Sequence, residues 1–300
     1  MTYSGKIKLV YFDLGDTLVQ MQPQLQEDAV RRISAANRQI LKNQRQVMQA
    51  INRLKLACDA EWATRRSEIL AVKTEADELA YWPGFYYAVL QRYGLEKPSW
   101  QLVELLSERA ADASSFICFN DVWPTLTALR DHKGLELGII SNSFPSATKI
   151  LRDLKLEEWF KYVVFSHETS FAKPAPQIYR RAIDIAHAQP DEALFVDDRP
   201  NFVEGAAAIH MRAVLLDRQG QYPKSAGKSD RIRHLGKLNK LVERVPGRKL
   251  NWTSRLKARF VLRSQTPTAS ASMTQMFADA FTIPSYPGRE ICTWPVQKSG

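Results

Sequence analysis

Short apolar runs that stop at polar residues recur along the chain: Ile7–Phe12, Leu135–Ile140, Tyr162–Phe165, Leu194–Val196 and Ala213–Leu216. Their length and bounding polar residues predict buried strands. Between the later runs the apolar period lengthens to three and four, predicting helices over roughly Ser146–Leu154, Pro176–Ala188 and Phe202–His210. Strand and helix in alternation predict an α/β fold with a mainly parallel sheet and helices on its faces. Ligands in such sheets bind beyond the carboxyl ends of the strands.

One interval breaks the alternation. Between the first and second strands, about Val19 to Phe116, the chain reads as helix throughout. Val30, Ile33, Ile40, Val47, Ile51 and Leu54 fall on one stripe and predict a single long polar helix with one apolar face. Further helices are expected around Ala57–Leu79, Phe85–Tyr93 and Trp100–Ala113, with turns at Tyr81-Trp82-Pro83-Gly84 and Glu96-Lys97-Pro98. Tyr81, Trp82, Tyr86 and Tyr87 form an aromatic cluster that either faces a substrate or, as is more usual, makes the core of this helical insertion. The expected division is therefore a core of residues 1–18 and 117–217, a helical insertion 19–116, a closing segment 218–245 and an extension 246–300. Ile232–Val245 reads as one closing helix and Leu250–Arg263 as a basic amphipathic one, while residues 264–300 are rich in Ser, Thr, Ala and Pro and need not fold.

Composition changes this picture in one respect. The net charge is +10, but from Arg218 onward 16 Lys or Arg face 4 Asp or Glu, whereas the preceding 217 residues carry 26 basic and 28 acidic groups. The excess belongs to the tail, which excludes a basic surface over the whole protein of the kind a dedicated nucleic-acid binder shows. The tail itself suits either a solvated extension or an acidic surface, with anionic lipid or nucleic acid as the possible partner. The run Ile7–Phe12, broken by Lys8 and stopped by Asp13, fits neither a signal peptide nor a transmembrane segment. With three dispersed cysteines, Cys58, Cys118 and Cys292, a cytoplasmic protein with free structural thiols is expected.

The polar residues at the strand ends carry the candidate chemistry. The first strand runs into Asp13-Leu14-Gly15-Asp16-Thr17-Leu18, and aspartate is a nucleophile for phosphoryl groups. The second ends in Ser141-Asn142-Ser143 just before a helix, where a hydroxyl and backbone N–H groups suit an anion, although Ser143 also reads as a plain helix cap. Lys173, before Pro174 and Pro176 on a stiff loop, offsets the charge of Asp13 and a bound phosphate. Asp197-Asp198 closes another strand, and two adjacent carboxylates suit a hard cation such as Mg²⁺. Nucleophile, oxyanion clamp, cation and metal pair are the parts of in-line phosphoryl transfer.

In this order the motifs resemble those of the haloacid dehalogenase superfamily, in its branch with a helical cap inserted after the first motif. Tyr11 to Leu18 resembles the first motif, Ile140-Ser141-Asn142 the second, Lys173 to Tyr179 the third, and Val196 to Asn201 with Glu204-Gly205-Ala206 the fourth. The resemblance covers about residues 6–217. It implies a Rossmann-like three-layer core and a hydrolase, foremost a Mg²⁺-dependent phosphatase acting on a small phosphorylated metabolite through an aspartyl phosphate on Asp13. Ser141, Asn142, Lys173 and Thr17 would meet the substrate. Asp13, Asp198 and the Gly15 carbonyl would hold the metal, with Asp197 assisting.

Two departures stand out. Phosphatases of this superfamily usually place a second aspartate two residues after the nucleophile as general acid and base. Here Gly15 occupies that position and Asp16 follows it, pointing to the other face of extended backbone. Phe202 stands where relatives often carry an acidic or polar residue, with Asp197 expected to compensate. Gly15 keeps two alternatives open, a dehalogenase-type hydrolase and a non-catalytic binding or regulatory protein.

Overall fold

The computed structural model of the chain describes residues 6–222 and 230–243. The expected helix Leu250–Arg263, the stretch 264–300 and Cys292 lie outside the described residues. The first strand, β1, is Leu9–Phe12, followed by β2 (Val19–Met21). Five helices come next: α1 (Pro23–Ala36), α2 (Gln44–Thr64), α3 (Arg66–Ala71), α4 (Glu75–Tyr93) and α5 (Trp100–Ala111). The chain returns through β3 (Phe116–Cys118) and α6 (Val122–Thr127), then alternates: β4 (Glu136–Ser141), α7 (Ser146–Asp153), β5 (Tyr162–Phe165), α8 (Pro176–Ile185), β6 (Ala193–Asp197), α9 (Pro200–Ala208) and β7 (Arg212–Leu216). A short β8 (Asp230–Ile232) and α10 (Leu238–Val242) close the described part.

The six-stranded sheet has the order β5-β4-β1-β6-β7-β8, and every pair is parallel. This is the α/β core with a parallel sheet that the alternation predicts, and the Rossmann-like core that the resemblance implies. Each expected strand forms to within two residues. Both faces are covered, so β1 is apolar at every position: Val10 and Phe12 enter one buried cluster, Leu9 and Tyr11 the other. The Tyr11 ring packs so closely on β4 that a Cβ at Gly138 would lie 2.3 Å from it.

The helices depart from expectation at several points. The single long helix is two, α1 and α2, separated where Arg38 turns to a positive φ, and Ile40 is 82% exposed instead of lying on the stripe. The expected turn at Tyr81–Gly84 lies inside α4, with Pro83 mid-helix. A Thr74–Asp77 capping box starts that helix, and Tyr81, Trp82 and Phe85 anchor it among Trp62 and Phe144. Pro83 removes one donor, to the carbonyl of Leu79, a residue on the exposed side of the helix. The expected closing helix is shared between β8, a turn and the short α10. The insertion leaves and re-enters through β2 and β3, which pair antiparallel from Val19–Cys118 to Met21–Phe116. Three-residue strands are too short to show alternation in sequence. No helix among the described residues is long and apolar enough to cross a membrane.

Candidate active site

β1 lies between β4 and β6, with Phe12 level with Ile139 on one side and Val196 on the other. The strand order reverses at this point, so the ends of these three strands border the crevice where α/β sheets bind ligands. Asp13 follows β1, Ser141 ends β4 and Asp197 ends β6, with Asp198 next in sequence.

Lys173 ties them together from the loop before α8. Its ammonium is fully buried, 2.6 Å from Asp13 Oδ1 and 2.7 Å from Asp197 Oδ2. Ser141 Oγ donates to the same Asp13 Oδ1 at 2.9 Å. The lysine is aimed by Asn142, whose Oδ1 accepts from Lys173 N–H at 2.7 Å and whose Nδ2 donates to the Lys173 carbonyl at 3.0 Å. The amide expected to meet substrate is thus committed to the loop that presents Lys173. Gly205 lets α9 pack on that loop, since a Cβ there would come 2.8 Å from the Pro174 carbonyl. Phe202 supplies an aromatic face 4.9 Å from the ammonium, which accounts for an apolar residue at this position.

The charges do not balance. Asp13, Asp197 and Asp198 bring ligand oxygens within 4.8 Å of one another around one lysine. Burial works against the Lys173 charge, yet Asp13 and Asp197 overrule it and raise its pKa, so it stays an ammonium. Burial pushes Asp197 up to about 6 despite Lys173. Its Oδ1 also accepts the Arg199 N–H at 2.8 Å, so both oxygens are engaged. Asp198 has no hydrogen bond or ion pair among the described residues. Burial, then Asp197, Asp16 and Asp13, drives its pKa well above the ordinary carboxylate range. An unpartnered buried carboxylate beside two others is an all-oxygen donor set of the kind a hard cation takes.

Thr17 is fully buried; its Oγ1 has no partner among the described residues, and its carbonyl accepts from Arg218 at 2.7 Å. Arg218 also grips Asp121 with two bonds of 3.0 Å, so a residue counted with the basic tail fixes the loop behind Asp13. Of the backbone N–H groups expected to hold an anion before α7, those of Ser143 and Ser146 are already engaged. Glu78, buried in α4, accepts from Ser146 N–H at 2.8 Å and Ser146 Oγ at 2.6 Å, and from the Trp82 indole at 3.0 Å. Ser143 does not cap this helix either; its N–H donates to Ser166 Oγ at 3.1 Å. Glu78→Ala is expected to lower the unfolding free energy by about 2 kcal/mol in urea titration, because it strands three donors.

The helical insertion contributes charge to the same region. Lys55 on α2 reaches Asp16 at 2.7 Å, and Asp59, one turn on, pairs with Arg199 at 2.7 Å. These groups escaped the sequence reading because α2 is polar on most of its surface. The nearby Cys58 thiol is pushed up to about 12 by burial, and Cys118 to about 11, which makes both unreactive.

Comparison with known proteins identifies the family. Over 221 residues the chain is 26% identical to a glyceraldehyde 3-phosphate phosphatase of Pyrococcus furiosus, covering 72% of this chain and 83% of the relative. Over 105 residues it is 33% identical to the phosphatase MT3486 of Mycobacterium tuberculosis, covering 34% of this chain and only 48% of that protein. Among solved structures, the HAD-hydrolase YfnB of Bacillus subtilis superposes with a TM-score of 0.57 at 19% identity, over 80% of this chain and all of YfnB. The family model for haloacid dehalogenase-like hydrolases matches residues 7–210, which spans β1, Asp13, Ser141, Lys173 and the Asp197-Asp198 pair, and the chain therefore belongs to the haloacid dehalogenase-like hydrolases.

Proposed function

We propose that the protein is a Mg²⁺-dependent phosphatase of small phosphate monoesters, with Asp13 as nucleophile and residues 19–116 as a cap over the site. The observation that carries this reading is the uncompensated Asp198 beside Asp13 and Asp197. Asp13, Asp198 and the Gly15 carbonyl would hold the metal, and Asp197 would support them from its bonds to Lys173 and Arg199. Bound there, Mg²⁺ supplies charge to offset the phosphate oxygens and the carboxylates.

The remaining chemistry belongs to the side chains. Lys173 and Ser141 hold phosphate oxygens beside Asp13, and Thr17 Oγ1 is an unspent donor in the same loop. The Asp13 carboxylate attacks phosphorus, and the ester P–O bond breaks as the Asp13–phosphorus bond forms. Water then attacks the aspartyl phosphate, phosphate leaves and Asp13 is regenerated. The phosphatase relatives support this assignment, and a dehalogenase would leave Asp198 without a charge partner. Gly15 favours a second reading, a binding protein without turnover.

Phosphate release from aryl phosphates, measured with and without Mg²⁺ and beside halide release from haloacids, tests the proposal. Metal-dependent phosphate release supports it; halide release, or no turnover at all, sinks it. Thermal unfolding gives an independent check. Folding favours the protonated forms of Asp197 and Asp198, a contribution complete below the ordinary aspartate pKa of about 4 and lost as pH rises through about 6 for Asp197. Metal-free protein is expected to lose stability as pH rises from about 4 through about 6, with Asp198 extending the loss upward, and Mg²⁺ to raise Tm by several degrees above that range and little below it.

A further inference from the structure

In-line displacement places the departing oxygen on the far side of phosphorus from Asp13, away from the strand ends. No core side chain supplies an acid there from residue 15. A Cβ built on Gly15 has nothing within 4 Å, so the usual carboxyl position is open space. Asp16 does not fill it: the residue adopts φ 55°, its N–H donates to the Val19 carbonyl at 2.8 Å, and its carboxylate turns to Lys55.

We propose that Lys55, delivered by α2 and held by Asp16, stabilises the departing oxygen in place of the missing carboxyl group, and that the site is thereby suited to phosphate esters of acidic leaving groups. This rests on the phosphatase reading and names its substrate class. Three observations support it. Lys55 is bound to the same short loop that carries the nucleophile. From the same helix Asp59 reaches Arg199, next in sequence to Asp198, at 2.7 Å, so α2 lies along both loops that carry the carboxylates of the site. Burial opposes that charge, yet Asp16 foremost, then Asp198 and Asp59, hold its pKa above the ordinary lysine range. Arg199, a further cation nearby, is already paired with Asp59, and its pKa is raised.

Lys55 therefore acts as a hydrogen-bond donor that keeps its proton. As the bond from Asp13 to phosphorus forms and the ester P–O bond breaks, the electron pair stays on the leaving oxygen. That oxygen accepts a hydrogen bond from Lys55 and departs as an anion, which water protonates. Water then attacks phosphorus, its second proton passes to solvent, and the Asp13–phosphorus bond breaks. Phenols, enols and acyl groups meet this requirement; simple alkoxides, which need a proton to depart, do not. A series of substituted aryl phosphates and one alkyl phosphate is the test, with kcat and KM measured for wild type, Lys55→Met and Lys55→Arg.

The wild type is expected to favour the most acidic leaving groups. Lys55→Met is expected to lose little on the most acidic phenol and roughly 10²-fold in kcat on the least acidic one. Lys55→Arg is expected to recover part of that loss, with KM little changed in both variants. A loss in Lys55→Met that is uniform across the series, or confined to KM, overturns the role of Lys55 and leaves the phosphatase reading intact. Equal wild-type rates on alkyl and aryl phosphates overturn the substrate class. Absence of turnover on the whole series overturns both.

Discussion

Asp13→Asn is expected to lower phosphate release by a factor on the order of 10⁴ or more, because an amide cannot form the covalent intermediate. The substitution separates chemistry from folding unusually well. Both contacts of Asp13, from Lys173 Nζ and Ser141 Oγ, go to Oδ1, which an asparagine oxygen replaces in kind. Lys173 keeps Asp197 at 2.7 Å, so no buried ammonium is left bare. One of three crowded carboxylates loses its charge, which relieves repulsion in the metal-free protein. Unchanged or higher Tm without Mg²⁺, together with loss of turnover and of acid-stable labelling by the substrate phosphoryl group, is the expected pattern. Retained turnover in Asp13→Asn removes the nucleophile assignment.

The contrast between what the sequence shows and what it hides follows the physics of each element. Asp13, Ser141, Lys173 and the Asp197-Asp198 pair are legible because each ends or follows a buried strand or sits on a proline-stiffened loop, where a polar residue interrupts an apolar pattern. The strands are legible for the same reason. Asn142 is visible as a polar strand-end residue, but its commitment to the Lys173 backbone depends on a loop thirty-one positions away. Lys55, Asp59 and Glu78 lie on helices with many charged residues, and only the fold tells a solvated charge from one turned toward the site. Glu78 is the sharpest case, a glutamate buried to 2% exposure because a helix start and an indole satisfy it. Pro83 shows the reverse error: local chemistry reads as a turn, and aromatic packing keeps it in α4.

Gly15→Asp is the substitution expected to raise activity. The backbone at residue 15 has no positive φ, and the added Cβ meets no atom within 4 Å, so the side chain enters without displacing a neighbour. The carbonyl proposed as a metal ligand is retained. A new carboxylate beside Asp13, Asp16 and Asp198 would be held partly protonated by their charges, as a general acid requires. General acid–base catalysis is typically worth about 10² to 10⁴ in rate, but only where the leaving oxygen needs a proton. The gain is therefore expected to be roughly 10²-fold in kcat for alkyl phosphates and small for the most acidic aryl phosphate, so that the dependence of rate on leaving-group acidity flattens. Burst kinetics add a second readout: with acidic leaving groups the wild type is expected to accumulate the aspartyl phosphate, because no base assists the attacking water, and Gly15→Asp to shorten its lifetime. A variant that folds, binds Mg²⁺ and shows neither change would mean that proton transfer at residue 15 does not limit this enzyme, and that the glycine reflects a constraint on the substrate instead of a missing catalyst.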